Sequence, residues 1–101
     1  MAQQIQTALS ILRRKQVQSE TGYPRSTLYW RISQGLYTRP IRLGARAVGW
    51  PKTEVDVLNA ARIAGVGDDA IRSLVARLEA QRASTLQRLT CGTAIDASGD
   101  A

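Results

Sequence analysis

Apolar positions recur with a helical period over much of the chain, and glycine and proline cut that pattern into short pieces. An uncharged, Gln-rich lead, Met1–Ser10, precedes Ile11 and Leu12, where the fold begins. Arg13 to Thr21 predicts a short helix with Val17 facing inward, and Gly22 is placed as its left-handed stop. Pro24 fits the first position of a second helix, where a missing N–H costs nothing, and that helix runs to about Gln34 before Gly35 ends it. At about 100° per residue, Leu28, Ile32 and Gly35 share one face, while Ser26, Trp30 and Ser33 share the opposite one, flanked by Thr27 and Tyr29. Two short helices about a tight turn have helix-turn-helix spacing. The polar and aromatic face of the second is then free to enter a DNA major groove.

The period changes at Ile41. Ile41-Arg42-Leu43 alternates apolar and charged, Gly44-Ala45-Arg46 reads as a turn, and Ala47-Val48-Gly49-Trp50 returns toward the core. This predicts a hairpin with Ile41, Leu43, Val48 and Trp50 inward, Arg42 outward and Arg46 at the tip, the wing of a winged helix. Pro51 opens a third helix carrying Val55, Leu58 and Ala61 inward, and Gly65-Val66-Gly67 breaks it. Asp68 caps a fourth helix whose stripe is Ile71, Leu74, Val75 and Leu78, and more weakly Thr85, Leu86 and Leu89. The expected fold is mainly α with a small β-hairpin: a flexible lead over 1–10, a winged helix-turn-helix over 11–65, a C-terminal amphipathic helix over 68–89 and a flexible tail over 90–101. The stripe of the last helix is longer than a unit of about 55 residues needs for its own closure. Ile71, Leu74, Val75 and Leu78 are therefore expected to carry a contact between copies of the chain.

Charge sharpens this picture. The 101 residues carry a net charge of +6, and the surplus lies in the first half. There Arg13, Arg14, Lys15, Arg25, Arg31, Arg39, Arg42 and Arg46 stand against Glu20 alone. Arginine dominates the cations, and its planar fork suits phosphates and guanine edges better than the point charge of lysine. The absence of His and the single Cys exclude a His-based triad, a Cys–His pair, a His or multi-Cys zinc site and any disulfide within the chain. Neither a catalytic role nor a cofactor or metal is expected. No stretch has the length and apolarity of a membrane span, and Met1–Ser10 lacks the cationic start of a secretion signal, so a cytoplasmic protein is expected.

Two stretches carry a family resemblance. Thr21-Gly22-Tyr23-Pro24-Arg25-Ser26-Thr27-Leu28-Tyr29 resembles the Thr-Gly-x-x-Arg-Ser-Thr-aliphatic-Tyr motif of AlpA-type phage regulators, MerR-like winged-helix proteins related to excisionases. Arg42-Leu43-Gly44-Ala45-Arg46-Ala47-Val48-Gly49-Trp50 is similar to their wing, and Glu54-Val55-Asp56 continues it. The resemblance covers about half the chain, from Arg13 to about Leu58, and two linked motifs in order are more specific than either alone. Trp30 stands where many members carry Arg, and the helix after Gly67 lies outside the motif. The resemblance implies sequence-specific DNA binding that regulates transcription or the excision of a mobile element.

Arg25, Ser26, Thr27, Tyr29, Trp30, Arg31, Arg42 and Arg46 are the expected DNA contacts, with Arg46 on the backbone or in the minor groove. Trp30 is read either as a DNA contact or as packing under the wing, whereas Trp50, beside Val55, is read as core. Gly44 and Gly49 suggest backbone turns, since no phosphate-loop motif follows, and Cys91 has no chemical partner. Expected partners are double-stranded DNA, further copies of the chain on that DNA, and an integrase or RNA polymerase. A basic face also suits an acidic protein, so an adaptor such as an anti-repressor is the alternative.

Overall fold

The computed structural model describes residues 10–91. The expected flexible ends lie outside them, apart from Ser10, which leads into a strand, and Thr90 and Cys91, which are helical. The chain forms β1 (Ile11–Arg13), α1 (Arg14–Thr21), α2 (Arg25–Ser33), β2 (Ile41–Arg42), β3 (Val48–Pro51), α3 (Lys52–Ile63) and α4 (Asp68–Cys91). The fold is mainly α with a small antiparallel sheet in the order β1-β3-β2, a helix-turn-helix followed by a hairpin wing and a C-terminal helix.

The helix ends follow local chemistry. The Arg13 N–H donates to the Gln16 side-chain oxygen at the start of α1, and Gly22 ends it at φ 80°, its N–H bonded to the Gln18 carbonyl at 2.8 Å. Pro24 and Pro51 stand one residue before the first turns of α2 and α3, at the caps and outside the helices themselves.

The sheet departs from the sequence pattern in two ways. First, Ile11 and Leu12 belong to a third strand: Leu12 pairs with Trp50 and Arg13 with Gly49. Three residues are too few for an alternation to show, and the partner lies far along the chain. Second, Ile41 pairs with Gly49 and Arg42 with Val48. Directly opposed residues share a face, so Ile41 and Leu43 sit on the opposite side of the sheet from Val48 and Trp50. Leu43 is accordingly exposed and Ile41 half-buried, while Trp50 is fully buried. A Cβ on Gly49 would lie 2.6 Å from Ile11 Cγ2, 2.9 Å from Leu43 Cδ1 and 3.0 Å from the Leu12 carbonyl. Ile11 and Leu43 close over that glycine.

One buried cluster joins Val17, Leu28, Leu36, Tyr37, Trp50, Val55, Leu58 and Ala61 to Ile71, Val75 and Leu78 of α4. The stripe expected to face another copy thus completes the core of its own chain, with Leu74 half-buried at its edge. The physical reason is the small size of the α1–α3 layer, which leaves Leu28, Leu36 and Tyr37 in need of cover. Exposed apolar residues on α4 appear instead further along, at Leu86 and Leu89.

Polar bonds fix α4 in place. Arg82 donates to both carboxylate oxygens of buried Glu54, at 2.7 and 2.8 Å, and to the Arg39 carbonyl at 2.7 Å. The Arg39 backbone N–H and guanidinium both donate to Glu79, and Arg72 donates to the Gln34 carbonyl just past the end of α2. Burial alone would raise the Glu79 carboxyl, but the Arg39 N–H and guanidinium outweigh it and hold the group below its ordinary value. Burial likewise pushes the Tyr37 phenol up, so it stays neutral.

The crowding at Gly49 has a measurable cost. Gly49→Ala should lower stability by about 1–3 kcal/mol in urea unfolding. Gly44→Ala, where nothing lies within 4 Å of the new methyl, should stay within about 0.5 kcal/mol of the parent chain. Equal effects at the two sites would show that the β1 closure over Gly49 is wrong.

Candidate nucleic-acid interface

The α2 helix holds its core side through Leu28, fully buried, and Ile32, half-buried. The opposite side carries Ser26, Trp30 and Ser33, all exposed. Trp30 is 55% exposed and so lies at the surface. Tyr29 stands on the flank, its ring edge-on to buried Trp50 at 6.5 Å between centroids, with the Arg25 guanidinium 5.8 Å from its own centroid. Arg25, Ser26 and Tyr29 line one shallow depression at the start of the helix.

The wing adds two cations. Arg42 is exposed and shares the sheet face of Val48 and Trp50, which is the face Tyr29 touches. Arg46 is exposed in the turn between β2 and β3.

Two expected residues do not join this face. Thr27 and Arg31, one turn apart, lie on the other flank of α2 and are half-buried. The Arg31 guanidinium sits 5.1 Å from the Tyr23 ring centroid, and its buried Nε has no hydrogen-bond partner among the described residues. Arg62 lies 4.4 Å from the same ring and donates to the Thr21 carbonyl at the end of α1. Tyr23 and its two guanidiniums therefore brace the turn between α1 and α2.

A second cationic feature escaped the helical wheel. Arg14, Lys15, Gln18 and Ser19 of α1 line a shallow groove with Gly22, Tyr23, Pro24 and Arg25. The run Arg13-Arg14-Lys15 is the sequence signal for it, but only the turn at Gly22 shows that these side chains meet Arg25.

The charges sort by use. Among the described residues the ion pairs engage Arg39, Lys52, Arg72 and Arg82, and no carboxylate lies within salt-bridge distance of Arg14, Lys15, Arg25, Arg42 or Arg46. Arg39, Arg62, Arg72 and Arg82 are thus spent on the fold and Arg31 on the Tyr23 ring, while Lys15, Arg25, Arg42 and Arg46 are exposed. Such a surface, a protruding helix with hydroxyls and aromatics between free guanidiniums, can neutralise phosphates and offer donors to base edges. Among the described residues there is also no group of metal-ligating side chains, and no helix long and apolar enough to cross a membrane.

Residues 10–62 match the family model described as Prophage CP4-57 regulatory protein (AlpA). No curated protein and no solved structure gives a match. The matched span holds β1, the helix-turn-helix, the wing and nearly all of α3, and stops short of α4.

The two tryptophans should behave as opposites. Trp30→Ala should change stability by no more than about 0.5 kcal/mol, whereas Trp50→Ala should cost about 3–5 kcal/mol. In the unaltered chain acrylamide should quench only the Trp30 part of the fluorescence, and quenching of both would put Trp50 at the surface.

Proposed function

Because the chain belongs to the AlpA family of prophage regulatory proteins, we propose that it binds double-stranded DNA by sequence and so regulates the transcription or excision of a prophage or integrative element. The observation that carries this reading is the set of exposed cations in no ion pair: Arg25 beside the exposed Ser26, Tyr29 and Trp30 of α2, and Arg42 and Arg46 on the wing, while Arg39 and Arg82 are bonded to the fold. In this reading α2 enters the major groove. Ser26 and Tyr29 offer hydroxyls to base edges, and Trp30 presents an apolar surface suited to a thymine methyl. Arg46 and Arg42 follow the adjacent backbone or minor groove from the wing, and Arg14 and Lys15 hold the phosphates on the side of α1. Arg31 supports the turn from the flank through Tyr23, with Thr27 half-buried on the same side.

The role is non-enzymatic: the protein occupies, bends or coats a site, with further copies of itself and an integrase or RNA polymerase as partners. Its place of action is the cytoplasm, where that DNA lies. The test is a mobility shift on double-stranded DNA with excess nonspecific competitor, followed by footprinting of the upstream region and any attachment site. No shift, with capture of an acidic protein instead, would favour the anti-repressor adaptor.

Two outcomes are expected beyond the shift itself. With about six phosphate contacts, affinity should fall roughly 10³-fold between about 50 and 200 mM salt, and a flat response would overturn the electrostatic reading. Ser26→Ala or Tyr29→Phe should relax preference at particular base pairs by about 1–3 kcal/mol, whereas Arg46→Ala should weaken all sequences alike. Unchanged specificity in the α2 variants would place recognition elsewhere.

A further inference from the structure

The sheet face turned away from α2 meets α4 in a groove of about 220 Å³, lined among others by Ile11, Ile41, Pro51, Leu78, Gln81 and Thr85. Its apolar lip is open: Ile11 is 48% exposed, and beside it Leu43 is 42% exposed. Beyond the groove α4 keeps going. Its 24 residues span about 36 Å, and past Arg82, whose guanidinium bonds Glu54 and the Arg39 carbonyl, residues 83–91 run on with Leu86 and Leu89 largely exposed.

We propose that this groove and the projecting end of α4 form a two-fold interface in which each copy of the chain inserts its Leu86 and Leu89 into the back-of-sheet groove of another. The proposal deepens the self-association named in the proposed function and rests on that part of it alone. Two observations and the geometry that follows from the first choose a second copy over other occupants. The hole and the knob lie on one helix: Leu78, Gln81 and Thr85 line the groove, and Leu89 continues the same face one turn after Thr85. Two such helices crossing antiparallel at Thr85 bring Leu89 of one copy opposite Gln81 of the other, and the reverse, which is the self-complementarity a closed two-fold contact needs. The groove also suits leucine electrically, because its ionised residues, Glu54 and Arg82, already neutralise each other and the rest are uncharged.

The position fits DNA-bound use. The groove lies on the Ile11, Gly49 and Pro51 face of the sheet and α2 on the Trp50 face, so pairing leaves both recognition helices uncovered. The pair is closed and has two recognition helices, so its preferred DNA is a palindrome with two half-sites and not an open run of direct repeats.

Sedimentation of the full chain over a wide concentration range should show a doubling of mass. Leu86→Asp with Leu89→Asp should raise the dimer dissociation constant about tenfold or more while the circular dichroism spectrum stays that of the parent. Thr85→Cys in a Cys91→Ser background should cross-link to itself on oxidation, because Thr85 lies at the proposed axis, whereas Ser73→Cys should not. This second pair keeps the test sharp if the aspartate variant fails to fold. A monomer at every concentration overturns the proposal and leaves the groove to residues 1–9 or to an unrelated protein. A dimer indifferent to the aspartates, or the absence of a Thr85→Cys cross-link, overturns it as well. Dimerisation without a DNA shift would uphold the interface and defeat the DNA reading, so the two failures remain distinct.

Discussion

The architecture turns on the Trp50 side chain. It is fully buried, its indole N–H donates to the Thr38 carbonyl at 2.9 Å, its strand neighbour is Leu12, and Tyr29 stands edge-on against it. A buried indole needs both an apolar enclosure and one acceptor, and here each comes from a different part of the chain. Satisfying that single residue aligns the wing, the first strand, the segment before the wing and α2. The position of Tyr29 on the outer flank of α2 is thereby referenced to the same ring that fixes the wing.

The second half of the molecule holds this arrangement from behind. Glu54 at the start of α3 is buried, and a buried carboxylate is tolerable only with full compensation. Arg82 supplies it from α4 and bonds the Arg39 carbonyl with the same guanidinium. Arginine thus has two separate uses. At Arg82 it is a bidentate clasp for backbone and carboxylate, whereas Arg25, Arg42 and Arg46 on α2 and the wing are exposed and in no ion pair among the described residues. The net charge in the sequence says nothing of this division, which depends on which guanidiniums find an oxygen.

Much of the fold was legible because it rests on local rules. The stop at Gly22, the helix ended by Gly35 and the inward Leu28 and Ile32 follow from glycine's access to positive φ and the helical period. The exposed Ser26 and Trp30 follow from the same wheel. What sequence could not show is long-range. The β1 strand has no pattern of its own and exists because Trp50 offers a partner. The hairpin was assigned one inward face for Ile41, Leu43, Val48 and Trp50, but its register puts Gly49 opposite Ile41 and so divides them between two faces. Arg31, expected among the DNA contacts, lies half-buried beside the Tyr23 ring, a placement that depends on the fold of the α1–α2 turn and not on the helical period. The α4 stripe was periodic enough to be recognised, yet its period could not say whose core it fills.

The central place of β3 in the order β1-β3-β2 has a consequence during synthesis. The strand that leads the fold stays without its ladder until Pro51 has left the ribosome, and the clasp on Glu54 waits for Arg82. Every residue of α2 has emerged well before either event. A nascent or prematurely ended chain therefore carries the full α2 sequence without the scaffold that orients it, and the exposed face of that helix is set in place late and nearly all at once.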